Sequence, residues 1–141
     1  MILKTIKKGK HYASGWRFFP FITKKNFDIA FCLTESCKYH GSDQLNEQWN
    51  KLFGIGAMDH HIKSDRIVWR YNKAFNLFEL GRYNYRNGKR QPTKSIGYIR
   101  PNSWYRTKIK TERYWFGRVL NPYFGGKESA PHDMNIKMII L

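Results

Sequence analysis

Alternation with a period of two residues is the pattern that most constrains this chain. Phe27, Ile29, Phe31 and Leu33 alternate with Asp28, Ala30 and Cys32, while Met134, Ile136, Met138 and Ile140 alternate with Asn135, Lys137 and Ile139. Successive side chains of a strand point to opposite faces, whereas an amphipathic helix repeats about every 3.6 residues, so both segments predict half-buried strands. Arg66-Ile-Val-Trp-Arg-Tyr71 predicts another from its β-branched and aromatic content. A longer run from Phe75 to Arg86 meets Asn87-Gly88 and then Lys89-Arg90. Asn-Gly readily takes the positive φ values of a type I′ turn, so a tight hairpin is predicted there.

Further strands are predicted at Ser95 to Arg100, Trp104 to Lys110 and Arg113 to Leu120. This rhythm predicts an all-β fold: a single-domain antiparallel β-sandwich, jelly-roll-like, over residues 1–141, with at most one or two short helices. The candidate helix is Asp43 to Leu52, where Leu45, Gln48, Trp49 and Leu52 can share a face. Most glycines and prolines, Gly54 and Gly56 among them, read as punctuation between strands. Gly81 and Gly97 fall inside strands and read as bulges.

A chain of 141 residues that is 41% hydrophobic and 17% aromatic can build one core, which excludes a disordered tail. Twenty-six Lys and Arg against ten Asp and Glu give a net charge of +16, and self-repulsion of that size calls for an anionic partner. No apolar run approaches the roughly 20 residues of a membrane-spanning helix. Lysines interrupt the apolar stretch at Met1 to Lys10, so no signal-peptide core is read there and a cytoplasmic location is expected. Cys32 and Cys37 complete neither a disulfide framework nor a zinc motif, and both read as ordinary thiols.

Charge concentrates between Leu80 and Leu120, where eleven basic residues face one acid, Glu112. Aromatic residues interleave with them. On a strand Tyr83 and Tyr85 share one face and Arg82, Asn84 and Arg86 the other, while Arg106, Lys108 and Lys110 form a row of cations. Such rows suit phosphates, and any Tyr or Trp on the same surface can stack on bases. The expected ligand contacts are Lys10, Lys63, Arg66, Arg82, Arg86, Arg106, Lys108, Lys110, Trp104, Tyr105 and Lys127, the last in a glycine-bearing loop before the final strand.

Histidines add a second possibility. His11 lies between lysines, His60 and His61 precede Lys63, Ser64 and Arg66, and His132 stands in Ala130-Pro-His-Asp133. Two imidazoles and a cation can cleave an RNA-like phosphodiester without metal, one His taking a proton and the other giving one. His11, His61 and His132 are the candidates for that role. No metal-site spacing such as H-E-x-x-H occurs among His60, His61, His132, Asp59 and Asp133, and neither metal nor cofactor is expected.

Several segments, Lys8-Gly-Lys-His-Tyr12, Asn50-Lys-Leu-Phe-Gly-Ile-Gly56, His60-His-Ile-Lys-Ser64 with Trp69-Arg-Tyr-Asn72, and Pro122-Tyr-Phe-Gly-Gly126 with Ala130-Pro-His-Asp133, resemble a family of short uncharacterised bacterial and phage proteins. That resemblance implies no activity. The closing Tyr-Phe-Gly-Gly and Ala-Pro-His-Asp pattern also resembles the last strands of concanavalin-like jelly rolls, which implies glycan-active relatives. Three functions follow in order of expectation: binding of a nucleotide or nucleic acid on a basic, aromatic-containing face, possible sequestration of a nucleotide included; metal-independent phosphodiesterase or ribonuclease action; and carbohydrate binding. Neutral glycans give no reason for the charge.

Overall fold

The computed structural model describes residues 1–14, 21–22, 26–56, 64–110 and 117–141. They form two antiparallel sheets, as the alternation predicts. The first has five strands in the order β10 (Trp104–Lys110), β4 (Asn26–Leu33), β12 (Met134–Ile140), β1 (Ile2–Ile6) and β2 (Ala13–Ser14). The second runs β3 (Phe21–Ile22), β11 (Gly117–Leu120), β5 (Asn50–Gly56), β6 (Ser64–Asn72), β7 (Leu77–Arg86) and β8 (Lys89–Arg90), with β9 (Lys94–Ile99) also on β7. Among the described residues no helix is long and apolar enough to cross a membrane.

The apolar halves of the alternating strands meet between the sheets. Ile29, Phe31 and Leu33 of β4 and Met134, Ile136 and Met138 of β12 share one buried cluster with Phe53, Ile55, Ile67, Trp69, Tyr71, Phe78 and Leu80 of the larger sheet. Full burial of side chains this size contributes roughly 1.5–3 kcal/mol each. Trp69 is wholly enclosed, edge-on to Tyr39 and Phe78, with centroids at 6.0 and 5.6 Å. Tyr105 turns inward as well and packs on Phe31 at 5.6 Å.

The hairpin turns at Asn87 and Gly88, whose φ values of 51° and 75° are both positive, as a type I′ turn requires. The bulge foreseen from Gly81 and Gly97 is present: Leu80 pairs with Gly97 but Gly81 with Ser95, which leaves Ile96 as the extra residue.

Two readings need correction. The helix α1 covers only Asp43–Glu47, with Ser42 as its N-cap, and the chain is already strand at Asn50. Asn46 explains the early stop. Its buried amide accepts from Gly41 N and donates to the carbonyls of Tyr39 and Tyr71, so the turn is tied down onto β6 before a second one can form.

Gly54 and Gly56, read as loop punctuation, lie inside β5. The glycine at 54 answers to close packing, because a Cβ there would collide with Arg66 Cγ and stand 2.6 Å from the Asp65 carbonyl oxygen. Cys32 and Cys37 are buried free thiols, and burial pushes the Cys37 thiol up to about 12.

Candidate functional site

A short extended segment at Tyr123 joins the two sheets and builds the surface of most chemical interest. Its backbone exchanges hydrogen bonds with Lys51 of β5, at 2.9 and 3.0 Å, and Phe124 N donates to the His11 carbonyl at 2.8 Å. Alternation then sorts the side chains. Phe124 goes inward against Tyr39 and Trp69, and Tyr123 stays at the surface.

Tyr123 carries the His11 ring stacked parallel to it, with centroids 5.2 Å apart and planes 11° from parallel. The Lys51 ammonium sits 5.5 Å from the Tyr123 ring centre and 5.6 Å from that of Tyr83, reaching across β6 to do so. Arg90, carried back by the Asn87-Gly88 hairpin, places its guanidinium 5.2 Å from the Tyr83 centre. The result is an alternating ladder of Arg90, Tyr83, Lys51, Tyr123 and His11. Tyr85 and Tyr12 stand edge-on to the two tyrosine rungs, at 5.7 and 4.9 Å.

The ladder explains how like charges are tolerated side by side. Each tyrosine face offers negative quadrupole density to the cation on it. The repulsion nonetheless registers: burial first, then the charges of Arg66 and Arg90, lower the Lys51 pKa from the ordinary lysine value. Burial and the neighbouring Tyr85 raise that of Tyr83, so its hydroxyl stays neutral.

The nearby carboxylates are taken by other partners. Asp65 follows Ser64 and precedes Arg66 on β6, and alternation turns it to the opposite face, where Arg82 binds it at 3.1 Å. Glu79, further along the ladder's own face, is held by Arg70 and Ser95 at 2.7 Å each. Arg70 in turn lies 4.1 Å from the centre of the Trp49 ring. Lys51 and Arg90 have no carboxylate partner among the described residues. Ser64, opposite Tyr85 in the sheet, is 5% exposed, and its hydroxyl has no hydrogen-bond partner among the described residues.

The residues expected from sequence fall into separate groups. Arg66 lies on the ladder's face, and its charge acts on Lys51. Arg82 is occupied by Asp65, Thr107 Oγ1 and the Lys108 carbonyl, while Arg86 is exposed at the end of β7. Trp104, Arg106 and Lys108 lie on the far side of the molecule, on the outer face of the five-stranded sheet, and Arg106 grips Asp28 with two nitrogens. Tyr105 belongs to the core side of that strand. Lys10 and Lys127 are exposed in loops. His61, Lys63 and the side chain of Lys110 lie outside what the structure describes.

The two described candidate histidines are engaged separately. His11 Nδ1 bonds the Phe124 carbonyl at 2.8 Å and His132 Nε2 the Ser36 carbonyl at 2.7 Å. A carbonyl only accepts, so each of these nitrogens carries its proton, and His11 Nε2 is left as an acceptor in the neutral ring. Among the described residues no three His, Cys, Asp or Glu side chains cluster as metal ligands.

Sequence reasoning missed Lys51, Tyr123 and the role of Arg90. The signal for Lys51 was available: a single cation in Asn50-Lys-Leu-Phe-Gly-Ile-Gly56, once that segment is read as a strand. No protein-family model, curated protein or solved structure matches this chain.

Proposed function

We propose that the outer face of the seven-stranded sheet binds a phosphate-bearing ligand, a nucleotide or a nucleic acid, through Lys51, Arg66 and Arg90. The observation that carries this reading is the ladder, which holds cations in contact with tyrosine rings and without a matching carboxylate on Lys51 or Arg90. Such an arrangement stores electrostatic repulsion that an arriving anion relieves. Phosphate is the anion best suited, because guanidinium forks its oxygens and ammonium approaches them as a point charge.

Binding is favoured over phosphodiester cleavage. A metal-free mechanism needs two proton-transfer groups around one phosphate, and among the described residues the ladder carries one, the His11 imidazole. Carbohydrate binding uses the exposed tyrosines but leaves the cations without a role.

The test is titration of the purified protein at low salt with a labelled adenine nucleotide and labelled oligonucleotides. A Lys51→Ala/Arg90→Ala variant should bind more weakly than wild type by about tenfold or more. Absence of binding to every member of that panel would discard the reading.

A further inference from the structure

The ladder also bears on which phosphate-bearing ligand is bound. Resting on the reading above, we infer that the ligand is single-stranded nucleic acid, its backbone running along the ladder and an unpaired base stacking on Tyr12.

The first argument is the spacing of charge. Arg90 and Lys51 both lie over one ring, Tyr83, at 5.2 and 5.6 Å from its centre, and Lys51 and the His11 ring both meet the next, Tyr123, at 5.5 and 5.2 Å. A mononucleotide presents its phosphates as one compact cluster, which calls for cations converging on a point. Here Arg90 and Lys51 share the Tyr83 ring, and Lys51 reaches on to Tyr123, so the cations are strung along a line of tyrosines, the pattern of a charged backbone laid along a surface. Arg66 flanks the row at Lys51, and exposed Lys10 precedes its His11 end in the chain.

The second argument is Tyr12. It is 71% exposed and meets Tyr123 only edge-on, with planes 80° apart. Most of this residue is therefore open to solvent, beside Tyr123 at the His11 end of the ladder. An aromatic face beside a phosphate track is the platform on which unpaired bases stack without sequence preference. Bases in a duplex are already stacked and paired, so a duplex gains nothing from this ring.

The experiment is fluorescence anisotropy with labelled oligo(dT) and oligo(U) of twelve nucleotides, the duplex of the same length, and labelled thymidine monophosphate, at several salt concentrations. Both single strands should bind at least tenfold tighter than the mononucleotide and more tightly than the duplex. The slope of log affinity against log salt should be about −2, for about three phosphate contacts on a single strand. Lys51→Ala and Arg90→Ala should each flatten it by about 0.7. Tyr12→Ala should weaken the single strands roughly tenfold, leave the salt slope unchanged and leave the duplex unaffected.

A mononucleotide bound as tightly as the twelve-mers would overturn this inference and leave phosphate binding standing. So would duplex affinity equal to that of the single strands, with Tyr12→Ala silent. Loss of all binding would sink both readings. Unchanged melting temperatures for Tyr12→Ala and for Lys51→Met, a second variant that removes the charge and keeps most of the unbranched side chain, separate lost contacts from lost fold.

Discussion

Two cationic surfaces of this molecule use the same residue types and end in opposite electrostatic states. On the outer face of the five-stranded sheet, Arg106 of β10 closes on Asp28 of the neighbouring strand through two nitrogens, and the guanidinium holds that carboxyl below its ordinary value. On the outer face of the seven-stranded sheet, Lys51 and Arg90 meet tyrosine rings instead, and burial with like charge lowers Lys51. Arg106 has been matched by a carboxylate, whereas Lys51 and Arg90 have kept their charge. A net charge of +16 therefore locates no site until each cation is asked what it already touches.

The sharpest way to break the comparison is to remove cations from each face and measure binding of a labelled oligonucleotide. Lys51→Ala/Arg90→Ala should lower affinity at low salt by about one to two orders of magnitude, the size expected when two charge-assisted phosphate contacts are lost. Arg106→Ala should change it less than about threefold, because its charge is already matched. Equal losses would show that only total charge matters.

Next in size is a stability effect at the self-neutralised pair inside the larger sheet. Arg82 donates to Asp65 at 3.1 Å and to the Lys108 carbonyl at 2.9 Å, which bridges β7 to β10. Removing one partner strands the other in a partly buried place, and Arg82→Ala should destabilise the fold by about 1–3 kcal/mol, read from chemical denaturation. Burial already raises the Asp65 carboxyl. The sign follows: a carboxyl raised further by loss of Arg82 prefers the protonated folded state, so the penalty should be full near neutral pH and shrink as pH falls through the raised pKa. A penalty independent of pH would remove Asp65 from the explanation.

Much of the scaffold was legible because it follows from local pattern. The alternation in β4 and β12 and the Asn87-Gly88 turn require only that side chains alternate and that positive φ be tolerated. Tyr83 and Tyr85 sharing a face was legible for the same reason. The candidate site was not, because it depends on partners far apart in sequence. Nothing local to Arg106 indicates Asp28, which lies 78 positions earlier. Likewise nothing local to Lys51 indicates Tyr123. The helix read as far as Leu52 shows the converse error, since Leu45 and Leu52 are both buried, one on a helix turn and the other on a strand. Glycine in β5 misled because its cause is a neighbour, Arg66, and not a turn.

A smaller effect sharpens the contrast at Lys51 through pH. Its depressed pKa means that the free protein gives up this proton below the ordinary lysine range, and a bound phosphate must restore it. Affinity should therefore fall several-fold as pH rises from about 7 toward 10. Lys51→Arg, which cannot deprotonate there, should flatten that limb. The neutral Tyr83 hydroxyl, raised by burial, does not contribute in the same window. Superimposable pH profiles for the two proteins would mean that Lys51 does not meet the ligand.

The smallest expected effect is at Asp28 itself, and its smallness is the point. A carboxyl lowered by its partner contributes stability above the unfolded carboxylate range and loses it as pH falls through the folded pKa. Asp28→Asn should therefore leave the melting temperature at pH 7 almost unchanged, since exposed pairs contribute little, and should reduce the loss of stability on acidification. Its consequence for binding is more informative. Releasing Arg106 places an unmatched guanidinium beside Lys108 on β10 and gives the five-stranded sheet the charge state the other face already has. A modest gain in low-salt oligonucleotide affinity, largely erased at physiological salt, is expected from the added charge. A gain that survived salt and equalled the loss in Lys51→Ala/Arg90→Ala would mean that cations without rings suffice and that the ladder of tyrosines is incidental.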